Sequence, residues 1–454
     1  MNTHPFSSQN HRLSLFISGE FMNFDASRNF ALQLDSHDEL ASFRSQFIVT
    51  DPDLIYLDGN SLGRLPKTAA ERVKAVVDEW GSDLIRGWNK GWWHAPARVG
   101  EKIARLIGAA PGQVIVCDSV SIDLFKLTLA ALALQPARTR IITDTLNFPS
   151  DLYILQGCVQ LLSPSPLQGE GRGGGRHEIV RIGTLDSDIT PNLAALDNAI
   201  DENTALVTFS HVTFKSGYLY DMTAVTEMAQ RKGALVLWDL SHSVGALPIA
   251  LDACRADFAV GCTYKYLNGG PGSPAFLYVR RDLQEKITSP IWGWWGQKSP
   301  FAFDLDYTPA PGVNRFLAGS QPILSMLALE AALDPLLEAG TERIRRKAVL
   351  LTEYMIYLAD TLLAPLGFSL GTPRDPQRRG AHVSLRHPEG YRINRALIEE
   401  MNVIPDFREP DNLRLGFAPL YTSFWEVWEG VDRIRRVVEE KRYEKYPEER
   451  LTVT

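Results

Sequence analysis

Between residues 114 and 279, short apolar runs recur at 114–117, 140–143, 205–209, 234–238, 258–261 and 275–279, most of them separated by stretches of helical length. Parallel strands cannot be joined by a tight turn. Alternation of this kind therefore predicts crossover helices and an α/β fold whose mostly parallel sheet is covered on both faces. Ligands of such sheets bind beyond the carboxyl ends of the strands. The residues that directly follow each run are thus the first to weigh as functional.

The pattern changes after about residue 320. Helices are predicted over 323–338 and 341–363, short strands over 382–385 and 413–417, and a closing helix from Ser423, which together read as a smaller α+β domain. Near the start, a helix is predicted from about Thr68 to just before Gly81. The expected organisation is an N-terminal extension over 1–27, with disorder as one option, and a segment over 28–74 that joins the small domain. The large domain then spans 75–322 and the small domain 323–454. Within the large domain the stretch 162–178 collapses to Ser, Pro and Gly and reads as a surface insertion. Its glycines fit neither a dinucleotide fingerprint nor a phosphate-binding loop of the G-x-x-x-x-G-K type.

Composition narrows the partners. A net charge of −7 gives no diffuse basic field for phosphodiester backbones, so nucleic acid is not expected as a partner. Cys117, Cys158, Cys254 and Cys262 lack C-x-x-C spacing and read as reduced, buried thiols of a cytoplasmic protein, with no metal site expected. No export signal is evident, and no run approaches the roughly 18 to 20 apolar residues of a bilayer span, so no membrane is expected.

Chemistry concentrates between Asp239 and Lys265. Trp238-Asp239 ends an apolar run, with His242 three residues on. An electron-sink cofactor with a pyridine ring needs a carboxylate at its ring nitrogen, and Asp239 suits that position. A helix cap and a satisfied loop histidine are the plainer alternatives for this pair. Lys265 ends another run, between Tyr264 and Tyr266 and ahead of Asn268-Gly-Gly-Pro-Gly272, which favours a cramped, partly dry amine able to form an imine. A solvated surface lysine is the alternative. Cys117-Asp-Ser-Val-Ser121 follows a run and opens an apolar helix, so its amides and the Ser121 hydroxyl can cradle an anion, unless Asp118 or Ser119 is a plain cap.

The resemblance becomes specific in a set of motifs that includes Tyr56-Leu-Asp-Gly-Asn-Ser-Leu-Gly63, Asn147-Phe-Pro-Ser-Asp151 and Trp238-Asp-Leu-Ser-His242. It continues through Thr263-Tyr-Lys-Tyr-Leu-Asn-Gly-Gly-Pro-Gly272, Gly293-Trp-Trp-Gly296, Leu413-Arg414 and Pro419-Leu-Tyr421. In this order, across about 29–443, they resemble the kynureninase family. The resemblance implies the type I aminotransferase fold, pyridoxal 5′-phosphate (PLP) as cofactor and a cytoplasmic homodimer with shared active sites. It implies hydrolysis of L-kynurenine to anthranilate and L-alanine in tryptophan breakdown and NAD-related metabolism.

By that resemblance Lys265 is the Schiff-base lysine and Asp239 pairs with the ring nitrogen. Val120, Ser121 and Tyr264 meet the phosphate, with Trp294 and Ser320 reaching it across the dimer. Phe148 stacks on the ring, Pro149 and Ser150 belong to the same cofactor motif, and Asp151, Ser210 and His242 line the ring edge. Arg414 forks the substrate α-carboxylate, and Ser61 and Trp88 fall at substrate-pocket positions. Tyr264 is also expected to relay a proton, its phenol ionising more easily beside a cationic phosphate site. Some family members carry a histidine in place of Trp88, so preference for the ring-hydroxylated substrate, 3-hydroxykynurenine, is left open. Two rivals are a cysteine desulfurase-like lyase of the same fold and a non-catalytic PLP-binding protein.

Overall fold

The computed structural model describes residues 14–17, 20–162 and 177–449. Its central sheet holds β1 (Val114–Cys117), β2 (Arg140–Asp144), β3 (Glu178–Ile182), β4 (Thr204–Ser210), β5 (Leu235–Asp239), β6 (Phe258–Gly261) and β7 (Ala275–Val279). The spatial order is β1-β7-β6-β5-β4-β2-β3. Strand β7 runs antiparallel to β1 and β6, and the other pairs are parallel. The carboxyl ends of β1, β2, β4, β5 and β6 therefore open on one edge. Register sets Ser210 beside Asp239, and Asp239 beside Val260.

All residues of β4 and β5 are buried, which explains their unbroken apolar runs in place of alternation. On one face, the helices Val120–Leu134 and Pro149–Leu162 cover a core that includes Ile115, Leu124, Leu127, Leu155 and Leu237. On the other, Ala95–Leu106 and Met222–Arg231 close over Val99, Val116, Val225 and Trp238. A separate core gathers Phe30, Ile55, Leu351, Val383, Leu415 and Val431 around an antiparallel sheet of 369–370, 382–386, 412–416 and 406–408, in that order.

The buried cores do not divide at the expected 322/323 boundary. Helices Ile323–Ala332 and Asp334–Ala339 pack into the sheet core, and the changeover falls within Thr341–Leu358, between Ala348 and Leu351. In the segment expected as an extension, Ser14–Ile17 pairs antiparallel with Glu20–Asn23, and Phe24 enters the second core. The 162–178 insertion lies, apart from its ends, outside the described residues.

Other differences have local causes. The helix expected to stop before Gly81 spans Lys67–Asp83, because a side chain at Gly81 would meet open space and nothing there forces a turn; it ends at Leu84, whose φ is 49°. Pro335 divides the predicted 323–338 helix at its second residue after the break. By length and composition alone, the helical stretch 341–366 could cross a bilayer. Its apolar residues Leu351, Tyr354, Met355 and Leu358 pack into the second core, which accounts for that composition. Ser423 and Glu426 form a reciprocal capping box on Phe424–Glu439, at the point where the closing helix was expected to begin.

Candidate active site

At the carboxyl edge of the sheet lies a cavity of about 150 Å³. Val120, Ser121, Phe148, Ser150, Asp151, Asp239, His242, Tyr264 and Lys265 all line it. These nine come from four separate chain segments, 120–121, 148–151, 239–242 and 264–265.

Helix Val120–Leu134 opens into this cavity after an extended Ser119, and Ser119 makes no side-chain cap. The amides of its first turn lack intrahelical partners and face the cavity with the positive end of the helix dipole. Helix Pro149–Leu162 starts alongside, with Ser121 Oγ and Ser150 Oγ 3.1 Å apart. Two helix starts and two hydroxyls make an anion cradle.

Asp239 closes β5 with its carboxylate turned into the cavity. Ser241 donates to Asp239 Oδ1 twice, from its amide at 2.8 Å and its hydroxyl at 2.6 Å, while Ser241 Oγ accepts from the Cys262 amide at 3.1 Å. Burial raises the Asp239 pKa, and the Ser241 hydrogen bonds and Lys265 oppose that rise. Asp151, on the adjacent helix, is pushed well up by burial and then by Asp239. A protonated Asp151 beside an ionised Asp239 is the arrangement these directions support. A protonated pyridine nitrogen in the cavity would add the positive charge that Asp239 lacks.

Lys265 Nζ donates to His242 Nε2 at 2.9 Å and stands 5.9 Å from the ring centroids of Phe148 and Tyr264. Burial and then Lys265 lower the His242 pKa well below its ordinary value, so the imidazole is neutral and its Nδ1, buried and without a partner, is available to a ligand. The turn after Lys265 is held by Asn268, which has φ 57° and donates its amide to the Lys265 carbonyl at 2.9 Å. The Gly63 amide donates to the Tyr264 carbonyl at 2.8 Å; a Cβ there would lie 2.3 Å from the Lys265 carbonyl, so only glycine fits. The 56–63 motif thus supports the lysine turn.

Tyr264 departs from the expectation of easier ionisation. Burial raises the phenol pKa and Cys262 adds to the rise, so Tyr264 is a neutral hydroxyl that can donate a proton rather than a standing phenolate.

The remaining expected residues lie outside this lining. Pro149 is the first residue of its helix, between the lining residues Phe148 and Ser150. Ser210 Oγ donates to Asn147 Oδ1 at 2.7 Å, holding the 147–151 motif against β4. Trp88 packs edge-on against Trp92 and Trp295. Trp294 is 41% exposed and Ser320 is exposed.

Arg414 is buried at 1% exposure, donating to the Phe214 carbonyl at 2.6 Å, to Ser61 Oγ at 2.8 Å and to Asp406. Its charge, with that of Lys265, contributes to the lowered pKa of His242, so it is an electrostatic neighbour of the cavity. Asp58 Oδ1 is 4.0 Å away, and its carboxyl is pushed up to about 7 by burial and then by Asp406. A raised folded-state pKa means that stability is lost as pH climbs from the unfolded carboxyl value toward 7. Asp58→Asn removes that loss: melting temperatures compared at pH 5 and pH 8 should fall less in the variant than in the parent.

Ser119, which the sequence puts in the 117–121 cradle segment, also lines the cavity, as do Ser241, Cys262, Ser273 and Ala275, which sequence reasoning passed over. Ser241 had a signal, since a serine two residues after an aspartate is the spacing of an Asx-type turn. Ser273 and Ala275 arrive through the β7 return, which no local pattern reveals.

A family model of the kynureninase C-terminal domain matches residues 344–434. Kynureninases of Burkholderia pseudomallei (strain 1106a) and Pseudomonas fluorescens are each 44% identical to the chain over 422 residues. These alignments cover 91% and 92% of the chain and 95% and 96% of the relatives. Among solved structures, a cysteine desulfurase from Thermococcus onnurineus NA1 matches with a TM-score of 0.75 at 19% identity, covering 88% of this chain and 98% of that one. A cysteine desulfurase from Escherichia coli matches with a TM-score of 0.73 at 17% identity, covering 88% and 99%. At such identities these structures show a shared fold alone.

Proposed function

Because the chain belongs to the kynureninase family, we infer that it uses pyridoxal 5′-phosphate to hydrolyse L-kynurenine to anthranilate and L-alanine, within tryptophan catabolism. The observation that carries the assignment of its site is the meeting of Lys265, Asp239, Phe148 and the 119–121 helix start in one cavity. PLP supplies, when bound, an aldehyde that captures amines and a pyridinium ring that accepts an electron pair. Everything else falls to side chains.

Asp239, fixed by Ser241, would hold the ring nitrogen in its protonated form, Phe148 would pack on the ring, and the two helix starts would hold the phosphate. Lys265 would remove the Cα proton and carry it within the cavity, with neutral His242 accepting a hydrogen bond from its Nζ. Arg414 binds the α-carboxylate. Water adds to the substrate γ-carbonyl, the Cβ–Cγ bond breaks, and anthranilate leaves. Tyr264 donates the proton that completes alanine.

A desulfurase reading needs a mobile, ionisable cysteine. Cys117, Cys158, Cys254 and Cys262 are all buried, and burial raises the thiol pKa of Cys262, the cysteine that lines the cavity. Incubation with L-kynurenine should give anthranilate fluorescence and alanine in equal amounts, and incubation with L-cysteine should give no sulfide. The reverse pattern would overturn the assignment.

The protein acts as a cytoplasmic homodimer. Trp294 and Ser320 sit outside the lining of their own chain's cavity, and Trp292, Phe301, Phe303 and Leu305 near them are exposed apolar surface that a second copy would cover. Light scattering at micromolar concentration should give twice the chain mass. An active, PLP-loaded monomer would contradict the shared site.

A further inference from the structure

Beneath the anion cradle, helix Val120–Leu134 carries Lys126, whose side chain is completely buried. Its Nζ donates to Asp118 and, at 2.6 Å, to the Phe316 carbonyl; Asp123 Oδ1 lies at 3.7 Å and Cys117 Sγ at 4.0 Å. Cys117, Asp118 and Asp123 converge as metal ligands do, but the lysine ammonium already supplies the cation among them. Burying an ammonium is costly unless it is paired, so this one is held for what its partners do. Asp118 immediately precedes the cradle and has a left-handed backbone with φ 42°. Left free, its carboxylate would stand next to a bound phosphate dianion and repel it. Phe316 belongs to the turn Gly312–Phe316, four residues before Ser320.

We propose that Lys126 is a positioning residue for phosphate recognition: it draws the Asp118 carboxylate inward, cancels its charge and ties the cradle to the turn that leads to Ser320. The claim rests on the cofactor reading above. It concerns the phosphate end of the cofactor and leaves the lysine linkage alone.

Pyridoxal, which lacks the phosphate, separates the two. The apoprotein is titrated with PLP and with pyridoxal, and the ratio of the two affinities is the readout. Lys126→Met keeps the volume and strands the Asp118 charge, so the PLP-to-pyridoxal ratio should fall about tenfold or more, as expected for an uncompensated anion beside a dianion. Adding Asp118→Asn should restore the ratio to within about threefold of the parent. Asp118→Asn alone leaves Lys126 its contacts with Asp123 and Phe316, and its ratio should rise. A Lys126→Met variant that loses both ligands equally, or a double variant that does not recover, would assign Lys126 to fold stability and overturn the proposal. Should Lys126→Met yield no folded protein, the Asp118→Asn ratio decides, and an unchanged or lower value overturns it. A parent protein that binds neither ligand would instead refute the cofactor reading.

Discussion

The Lys265→Ala variant is expected to fold, to retain no borohydride-reducible link to PLP and to lose L-kynurenine hydrolysis by on the order of 10⁴-fold, the scale of a lost nucleophile that is also the proton carrier. Folding survives because the Lys265 side chain is only partly buried and makes its hydrogen bond to His242, which can turn to a ligand or water. Electrostatics change in a readable direction. Lys265 opposes the raised pKa of both Asp151 and Asp239, so its removal should push both carboxyls further up and weaken PLP binding near neutral pH. Absorbance, a thermal melt and steady-state rates together check this. A folded variant that keeps the reducible link, or most of its activity, would remove Lys265 from its assigned role.

The Arg414→Lys variant is expected to lose about 2 to 3 kcal/mol in kcat/KM, chiefly through KM, with its PLP absorbance unchanged. Lysine keeps the positive charge facing Asp406 but cannot make two parallel bonds to a carboxylate. The structure sharpens the alternative, because the guanidinium already serves Asp406, Ser61 and the Phe214 carbonyl. Substrate must therefore exchange for some of these partners, and Ser61 and Asp58 are the neighbours whose contacts would rearrange. Kinetics beside a melt separate the two roles: an unchanged KM with a lowered melting temperature would make Arg414 a structural residue.

The sheet was legible because its central strands are buried on both faces and appear as uninterrupted apolar runs, as β4 and β5 do. Strand β3 was missed for the opposite reason: it is an edge strand carrying Glu178 and Arg181, with only Ile182 buried, so it has no such run. The site was legible where a functional group ends a strand or opens a helix, as Asp239 and Ser121 do, and where it follows a strand within a few residues, as Lys265 does after β6. It was not legible where contacts join distant segments. Nothing local couples Gly63 to the Tyr264 carbonyl, Arg414 to Asp406 across a strand pair, or Lys126 to Phe316. The Tyr264 expectation failed because the sequence gives its neighbours but not its burial, and burial dominates its pKa.

The most direct measurement is borohydride reduction of the PLP-loaded protein, followed by proteolysis and mass mapping of the pyridoxyl-bearing peptide. The account predicts a single modified residue, Lys265, in the segment that carries Thr263-Tyr-Lys-Tyr, with activity lost in proportion to labelling. A label on Lys126 or any other lysine, or full activity after complete reduction, would contradict it.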